Sequence, residues 1–195
     1  PELRTSYYVP AHCEATRVIR DEECVELSDG KKIRFIALPG HYFEMLGVMC
    51  TIPDGKCAFF AGDAVFGKKV IAKFSIPFML DIFSFLDTLE KLRSVRADRY
   101  VPSHGDAVTR IDETVEMNEI AVLQTISCIM KILKKKPHTA EELLTEVANA
   151  NGISMKLAQY VLIGSTLRSF LTSLYEKGRI TYEIADNKML WKAVV

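Results

Sequence analysis

Near Arg110 the hydrophobic period of the chain changes. Before it, short β-branched and aromatic runs alternate with turn residues; beyond it, apolar residues recur at helical spacing almost to the end. A chain divided in this way is neither an all-β sandwich nor a plain helical bundle. The sequence predicts an α/β fold with two parts, residues 1–110 and residues 111–195, and its 195 residues suffice for one medium domain or two small ones.

In the first part Thr16 to Ile19, Cys24 to Leu27 and Lys31 to Leu38 read as strands, with Ser28-Asp29-Gly30 as a tight turn. Leu46 to Ile52 and Lys56 to Ala61 flank Pro53-Asp54-Gly55, a hairpin signal. Ile82, Phe85, Leu86, Leu89 and Leu92 share one helical face, which predicts a helix over Asp81 to Val95, followed by a strand at Arg99 to Val101. The aromatic residues Phe74, Phe78, Phe83 and Phe85 read as core, or as the lining of a substrate mouth between Phe66 and Phe83, and Trp191 reads as core. In the second part a long helix runs to Leu133 and stops at Lys134-Lys135-Lys136-Pro137. Thr139 and Glu142 have capping-box spacing ahead of a short helix, Asn151-Gly152 breaks it, and Ser154 to Tyr175 forms a third helix with Leu157, Val161, Leu167, Leu171 and Leu174 inward. A hairpin around Asp186-Asn187 closes the chain. Three helices and a hairpin outline a winged-helix-like module.

Composition excludes several classes. The 25 basic and 25 acidic residues cancel, which argues against a generic polyanion binder. Charged residues interrupt every apolar run before it reaches bilayer length, and no signal peptide opens the chain. Five cysteines, Cys13, Cys24, Cys50, Cys57 and Cys128, contain no paired motif, so reduced thiols in a cytoplasmic protein are expected. Cys50 and Cys57 flank the hairpin and read as apolar thiols facing each other across it. His12-Cys13 is discounted as a base and nucleophile, because neighbours on an extended segment point apart.

Three ligand-type residues follow strand ends beside a glycine: His41 after Leu38-Pro39-Gly40, Asp63 after Phe59-Phe60-Ala61-Gly62, and His104 after Val101-Pro102-Ser103. Each alone reads as a loop or turn residue. Their shared context places three side chains on one rim of a sheet, and imidazole with carboxylate suits Zn, Fe or Mn.

These motifs, with Gly47-Val48 after the first, Ala64-Val65-Phe66 after the second and Gly105 after the third, resemble the last three metal-binding motifs of the metallo-β-lactamase superfamily. The resemblance implies the C-terminal half of an αββα sandwich followed by a winged-helix-like extension. It implies that His41 completes the histidines of a first metal, that Asp63 bridges two metals and that His104 binds the second. It also implies a hydrolase in which hydroxide on Zn attacks a carbonyl or phosphoryl centre of a small-molecule substrate.

The superfamily's His-x-His-x-Asp-His cluster is missing: the histidines are His12, His41, His104 and His138. Pro1 then reads as an internal start, and metal binding by these three ligands is expected to be weak or absent, leaving the chain inactive alone. A half-sandwich should expose an apolar sheet face that seeks the missing N-terminal half or a second copy. The tail resembles the extension of a branch that includes glyoxalase-II-like hydrolases and some nucleases. From Arg110 onward 11 Lys or Arg stand against 10 Asp or Glu, and the third helix offers only Lys156 and Arg168, joined by Lys177 and Arg179. That balance favours a substrate-covering or dimerising tail over a nucleic-acid reader, the alternative being a regulatory protein that binds nucleic acid through its winged helix.

Overall fold

The computed structural model describes residues 14–53 and 55–194. Pro1, His12, Cys13 and Asp54 of the hairpin turn lie outside the described residues. Five strands, β1 (Cys24–Glu26), β2 (Lys32–Ala37), β3 (Leu46–Thr51), β4 (Cys57–Gly62) and β5 (Arg99–Pro102), form one sheet in sequence order. The first four pair antiparallel. Only β4 and β5 pair parallel, across a connection that carries α1 (Lys68–Phe74) and α2 (Ile82–Ser94).

Helix α2 forms where its period predicts. The Asp81 carboxylate caps it by accepting from the Ser84 amide at 3.0 Å and the Ser84 hydroxyl at 2.7 Å. Ile82, Phe85, Leu89 and Leu92 are buried beneath the sheet with Ile36, Phe59 and Tyr100. Each large apolar side chain buried there stabilises the fold by about 1.5–3 kcal/mol. Helix α1 is not signalled by the sequence; it has seven residues, none buried, which is too short for a period to show. Thr16 to Ile19 forms no strand, although it is β-branched in part: Val18 is exposed, and among the described residues none pairs with this segment. Cys50 and Cys57 are diagonal rather than opposite, since Cys50 faces Ala58 and Thr51 faces Cys57. Burial, with the nearby Asp98 carboxylate, pushes the Cys57 thiol up.

Beyond Arg110 come α3 (Asp112–Leu133), α4 (Ala140–Ala150), α5 (Leu157–Glu176) and the antiparallel pair β6 (Ile180–Ala185) and β7 (Lys188–Ala193). The Asp186-Asn187 turn has φ of 50° and 61°, the left-handed pair that a two-residue hairpin requires. Thr139 and Glu142 form both halves of the expected capping box. Leu157 and Val161 are exposed rather than inward; Ile163, Leu167, Phe170, Leu171 and Leu174 carry the packing of α5. The first two turns of that helix stand clear of the core and wall the cavity described below. Trp191 is half-buried against Tyr175 and Tyr182.

The buried residues form one cluster that runs from Phe66, Phe85 and Leu89 through Val115 and Val122 to Leu143 and Phe170. The change of period near Arg110 is thus a change of secondary structure within continuous packing. The sheet face turned away from α2 carries Phe35, Val48, Phe60 and Val101 in direct register across four strands. None of the four belongs to the core, and Phe60 is 43% exposed. Among the described residues no helix is long and apolar enough to cross a membrane.

Replacing Thr139 by Ala should lower the unfolding free energy in urea by about 1 kcal/mol, with Thr139→Ser close to neutral. An unchanged midpoint for Thr139→Ala would show that this cap contributes nothing.

Candidate metal centre

Because β2 and β4 are each antiparallel to β3, and β5 is parallel to β4, strands β2, β4 and β5 run the same way. Their C-terminal ends share one edge of the sheet, and His41, Asp63 and His104 follow those ends.

The His41 loop is locked by its backbone. Gly40 has φ of +132°, and a Cβ there would meet the Phe85 backbone at 2.4 Å, so only glycine fits. The Gly40 carbonyl accepts from the amides of Leu80 and Asp81 at 2.9 and 3.0 Å, and the Pro39 carbonyl accepts from the Thr88 hydroxyl at 2.7 Å. His41 Nδ1 lies 2.8 Å from the Phe78 carbonyl, which can only accept. Nδ1 therefore carries the proton and donates, and Nε2 is left as the free lone pair.

The other two loops are tied to each other. The Gly67 amide donates to the His104 carbonyl at 2.7 Å, and the Ser103 amide donates to the Gly62 carbonyl at 2.9 Å. Gly67 and Gly105 cross so closely that a Cβ on either would stand 2.8 Å from the other's Cα. Asn118, fully buried on α3, then clamps the Asp63 loop. Its Oδ1 accepts from the Phe66 amide at 3.0 Å, and its Nδ2 donates to the carbonyls of Phe66 and Thr114 at 2.8 Å. The Phe66 ring stacks on His104 at 6.3 Å and meets His41 edge-on at 5.8 Å.

Between the two imidazoles sits the Asp63 carboxylate. Its Oδ2 is 3.5 Å from His41 Nε2, and its Oδ1 is 3.5 Å from His104 Nε2. Oδ1 is buried and accepts no hydrogen bond, so the His104 contact is a proximity and not a bond. A metal about 2.1 Å from an imidazole nitrogen and from a carboxylate oxygen, at a tetrahedral angle, sets those two atoms roughly 3.4 Å apart. Both contacts match that spacing, one imidazole for each carboxylate oxygen. The residues thus fit a carboxylate shared by two ions. They supply two donors to each, and among the described residues no three His, Cys, Asp or Glu side chains converge on one point. His138 takes no part: it is buried in the helical region with Nδ1 on the Lys136 carbonyl.

A cavity of about 600 Å³ opens from these three residues. Phe66, Val70, Phe74, Ile76 and Phe78 form one side, and Ala158, Gln159, Leu162 and Ile163 of α5 form the other. Phe85 is core, as expected, whereas Phe74 and Phe78 line this cavity. No Lys or Arg lines it among the described residues. Arg168, a candidate phosphate contact, is instead held by Glu141 at 2.6 Å and by the Gly164 carbonyl at 3.0 Å. The Tyr160 hydroxyl and then the Arg168 guanidinium hold the Glu141 carboxyl below its ordinary range.

Asn118, Thr88 and the Phe78 carbonyl were not signalled by sequence. Asn118 sits among apolar residues of a helix distant in sequence, and its buried amide inside a hydrophobic stretch is the one available sign.

No protein-family model matches the chain. Among curated proteins it is 26% identical over 171 residues to an atrochrysone carboxyl ACP thioesterase of Emericella nidulans, covering 85% of this chain and 51% of that protein. It is 24% identical over 107 residues to a beta-lactamase-like protein 2 homolog of Caenorhabditis elegans, covering 55% of this chain and 33% of that one. The chain thus spans about half or less of the length of these relatives. A beta-lactamase domain protein from Burkholderia ambifaria superposes with a TM-score of 0.76 at 16% identity, over 95% of this chain and 55% of the other. A metallo-beta-lactamase family protein from Thermus thermophilus does so at 0.67 and 16%, over 99% and 63%.

Asn118→Ala strands the buried amide and carbonyl of Phe66 and should cost about 1–3 kcal/mol of stability by chemical denaturation. A cost within error of zero would remove Asn118 from the support of the Asp63 loop.

Proposed function

We propose that the chain is the ligand-bearing, substrate-lining part of a metal-dependent hydrolase of the metallo-β-lactamase superfamily, of the glyoxalase-II-like kind, acting on an acyl thioester or ester; the shared fold of the solved structures supports this reading. The observation that carries this is a carboxylate set between two imidazole nitrogens, each at 3.5 Å, at the end of an apolar cavity. Zn is the ion that these donors suit best, with Fe and Mn accepting the same set. His41, Asp63 and His104 would hold such an ion, which would supply water activation and stabilisation of negative charge on a substrate oxygen.

The chain's own residues do the rest. His41 is oriented by its proton on the Phe78 carbonyl, which presents Nε2 to the site. Asp63 offers one oxygen to each side, and its unpaired Oδ1 is an anionic acceptor kept from water. His104, 61% exposed, stands at the open rim, backed by the Phe66 ring. The aromatic wall and α5 hold an apolar acyl group and exclude water from it. A phosphodiester would find no Lys or Arg in this lining among the described residues, which favours a carbonyl centre; the Emericella nidulans relative, named as a thioesterase, agrees. A catalytic Zn uses about three protein ligands, so two donors per ion hold metal weakly, and turnover requires further donors.

Two measurements test this. In equilibrium dialysis with Zn, Asp63→Asn should weaken binding by about tenfold or more, because one residue serves both ions; equal affinity would remove Asp63 from the ligand set. Non-hydrolysable thioether analogues of acyl thioesters should bind about fourfold tighter for each added methylene, from about 0.8 kcal/mol per buried CH₂. Affinity independent of chain length would sink the acyl assignment while leaving the metal assignment standing.

A further inference from the structure

Helix α3 is the longest in the molecule, and one stripe along it faces solvent for its full length. The stripe begins with Glu113 and Glu116, passes Ile120, Leu123, Gln124 and Ser127, and ends with Lys131 and Lys134, all exposed. At 100° per residue these positions fall on one side of the helix over about 30 Å. The opposite side carries Val115, Asn118, Val122, Ile126 and Ile129, all buried.

The helix macrodipole accounts for acids at one end and bases at the other. It does not account for the middle, where Ile120 is 45% and Leu123 48% exposed on consecutive turns. Nor are the end charges spent within the chain. Asp112 and Glu119 pair with Arg110 and Arg93, but no ion pair of Glu113, Glu116, Lys131 or Lys134 occurs among the described residues.

The order of the stripe is self-complementary. Rotating the helix by a half-turn about an axis through the Leu123–Gln124 peptide lays Glu113 on Lys134, Glu116 on Lys131, Ile120 on Ser127 and Leu123 on Gln124. Every acid meets a base, and Ile120 and Leu123 meet uncharged residues near the axis. Beside the stripe runs an open groove of about 380 Å³, floored by Ile126 and Met130 and edged by Lys131, Lys134 and Arg179. Three cations with an apolar floor match what an antiparallel copy presents at that point: its Glu113 and Glu116, then its Ile120.

We propose that the exposed stripe of α3 is a homodimer interface, in which two copies of the chain pair these helices antiparallel across a two-fold axis. Such an interface is isologous, each patch serving as its own partner. One helix face is a small contact, so the association is reversible, and its charged ends make it weaken as salt is added. The pairing occupies neither the metal centre nor the apolar sheet face, and it does not depend on the hydrolase assignment.

Sedimentation velocity on the whole chain over a range of concentrations, at low and high salt, tests this. The wild-type chain should show a monomer–dimer equilibrium. Glu116→Lys and Lys131→Glu each create two like-charge contacts across the axis and should each weaken it by about tenfold or more. Mixing those two variants restores both attractive pairs, so the mixture should dimerise while neither does alone. Phe60→Lys, on the sheet face, should leave the equilibrium unchanged. Thermal melts of all variants keep a folding defect from passing as dissociation. A chain monomeric throughout, variants that associate like wild type, a mixture that fails to recover, or dissociation by Phe60→Lys instead would each overturn the proposal.

Discussion

The parallel pairing of β4 with β5 is the constraint on which the rest of the molecule depends. Antiparallel neighbours turn back on themselves, so their successive ends alternate between sheet edges. One parallel step puts the end of β5 on the same edge as the ends of β2 and β4, and that is why three residues far apart in sequence meet. A parallel step needs a long crossover, here α1 and α2, and the crossover must bury an apolar face to hold. The burial of Ile82, Phe85, Leu89 and Leu92 therefore stabilises the fold and also assembles the site.

What is assembled leaves one buried carboxylate oxygen, Oδ1 of Asp63, without a hydrogen-bond partner among the described residues. A carboxylate oxygen cut off from water and from hydrogen-bond donors is costly, and natural proteins rarely keep one without a purpose. The two imidazole nitrogens stand 3.5 Å from the Asp63 carboxylate, His41 on Oδ2 and His104 on Oδ1. The cost falls on loops with little freedom to relieve it. Gly40 is wedged on the α2 backbone, and Gly67 and Gly105 are pressed together. Backbone packing of this kind fixes where the three side chains stand.

Much of this was legible in the sequence, because the features concerned are local. A strand that ends in Gly followed by a ligand residue, a capping box from Thr139 to Glu142, an Asp-Asn hairpin turn and the apolar face of Ile82 to Leu92 all announce themselves within a few residues. The expected fold rested on three such short motifs, and the solved structures that superpose on the chain share it. Features set by distant neighbours were not legible. Thr16 to Ile19 has strand composition but pairs with no strand among the described residues, and Leu157 and Val161 keep helical period on turns that extend past the core. The register that offsets Cys50 from Cys57 depends on how the hairpin closes and not on either cysteine. Asn118 reads as one polar residue in an amphipathic helix until the fold brings Phe66 against it.

That side chain has a consequence for how the molecule comes apart. Asn118 satisfies backbone groups on the Asp63 loop from a helix that also packs against α2, α4 and β7. Loops that carry chemistry commonly open on their own, well below the free energy of global unfolding. Here the Phe66 amide is bonded to a fully buried side chain of α3, so its hydrogen exchange should follow that helix more than its own loop. The loop and the tail are tied by hydrogen bonds, although they lie in parts of the chain whose sequence patterns differ.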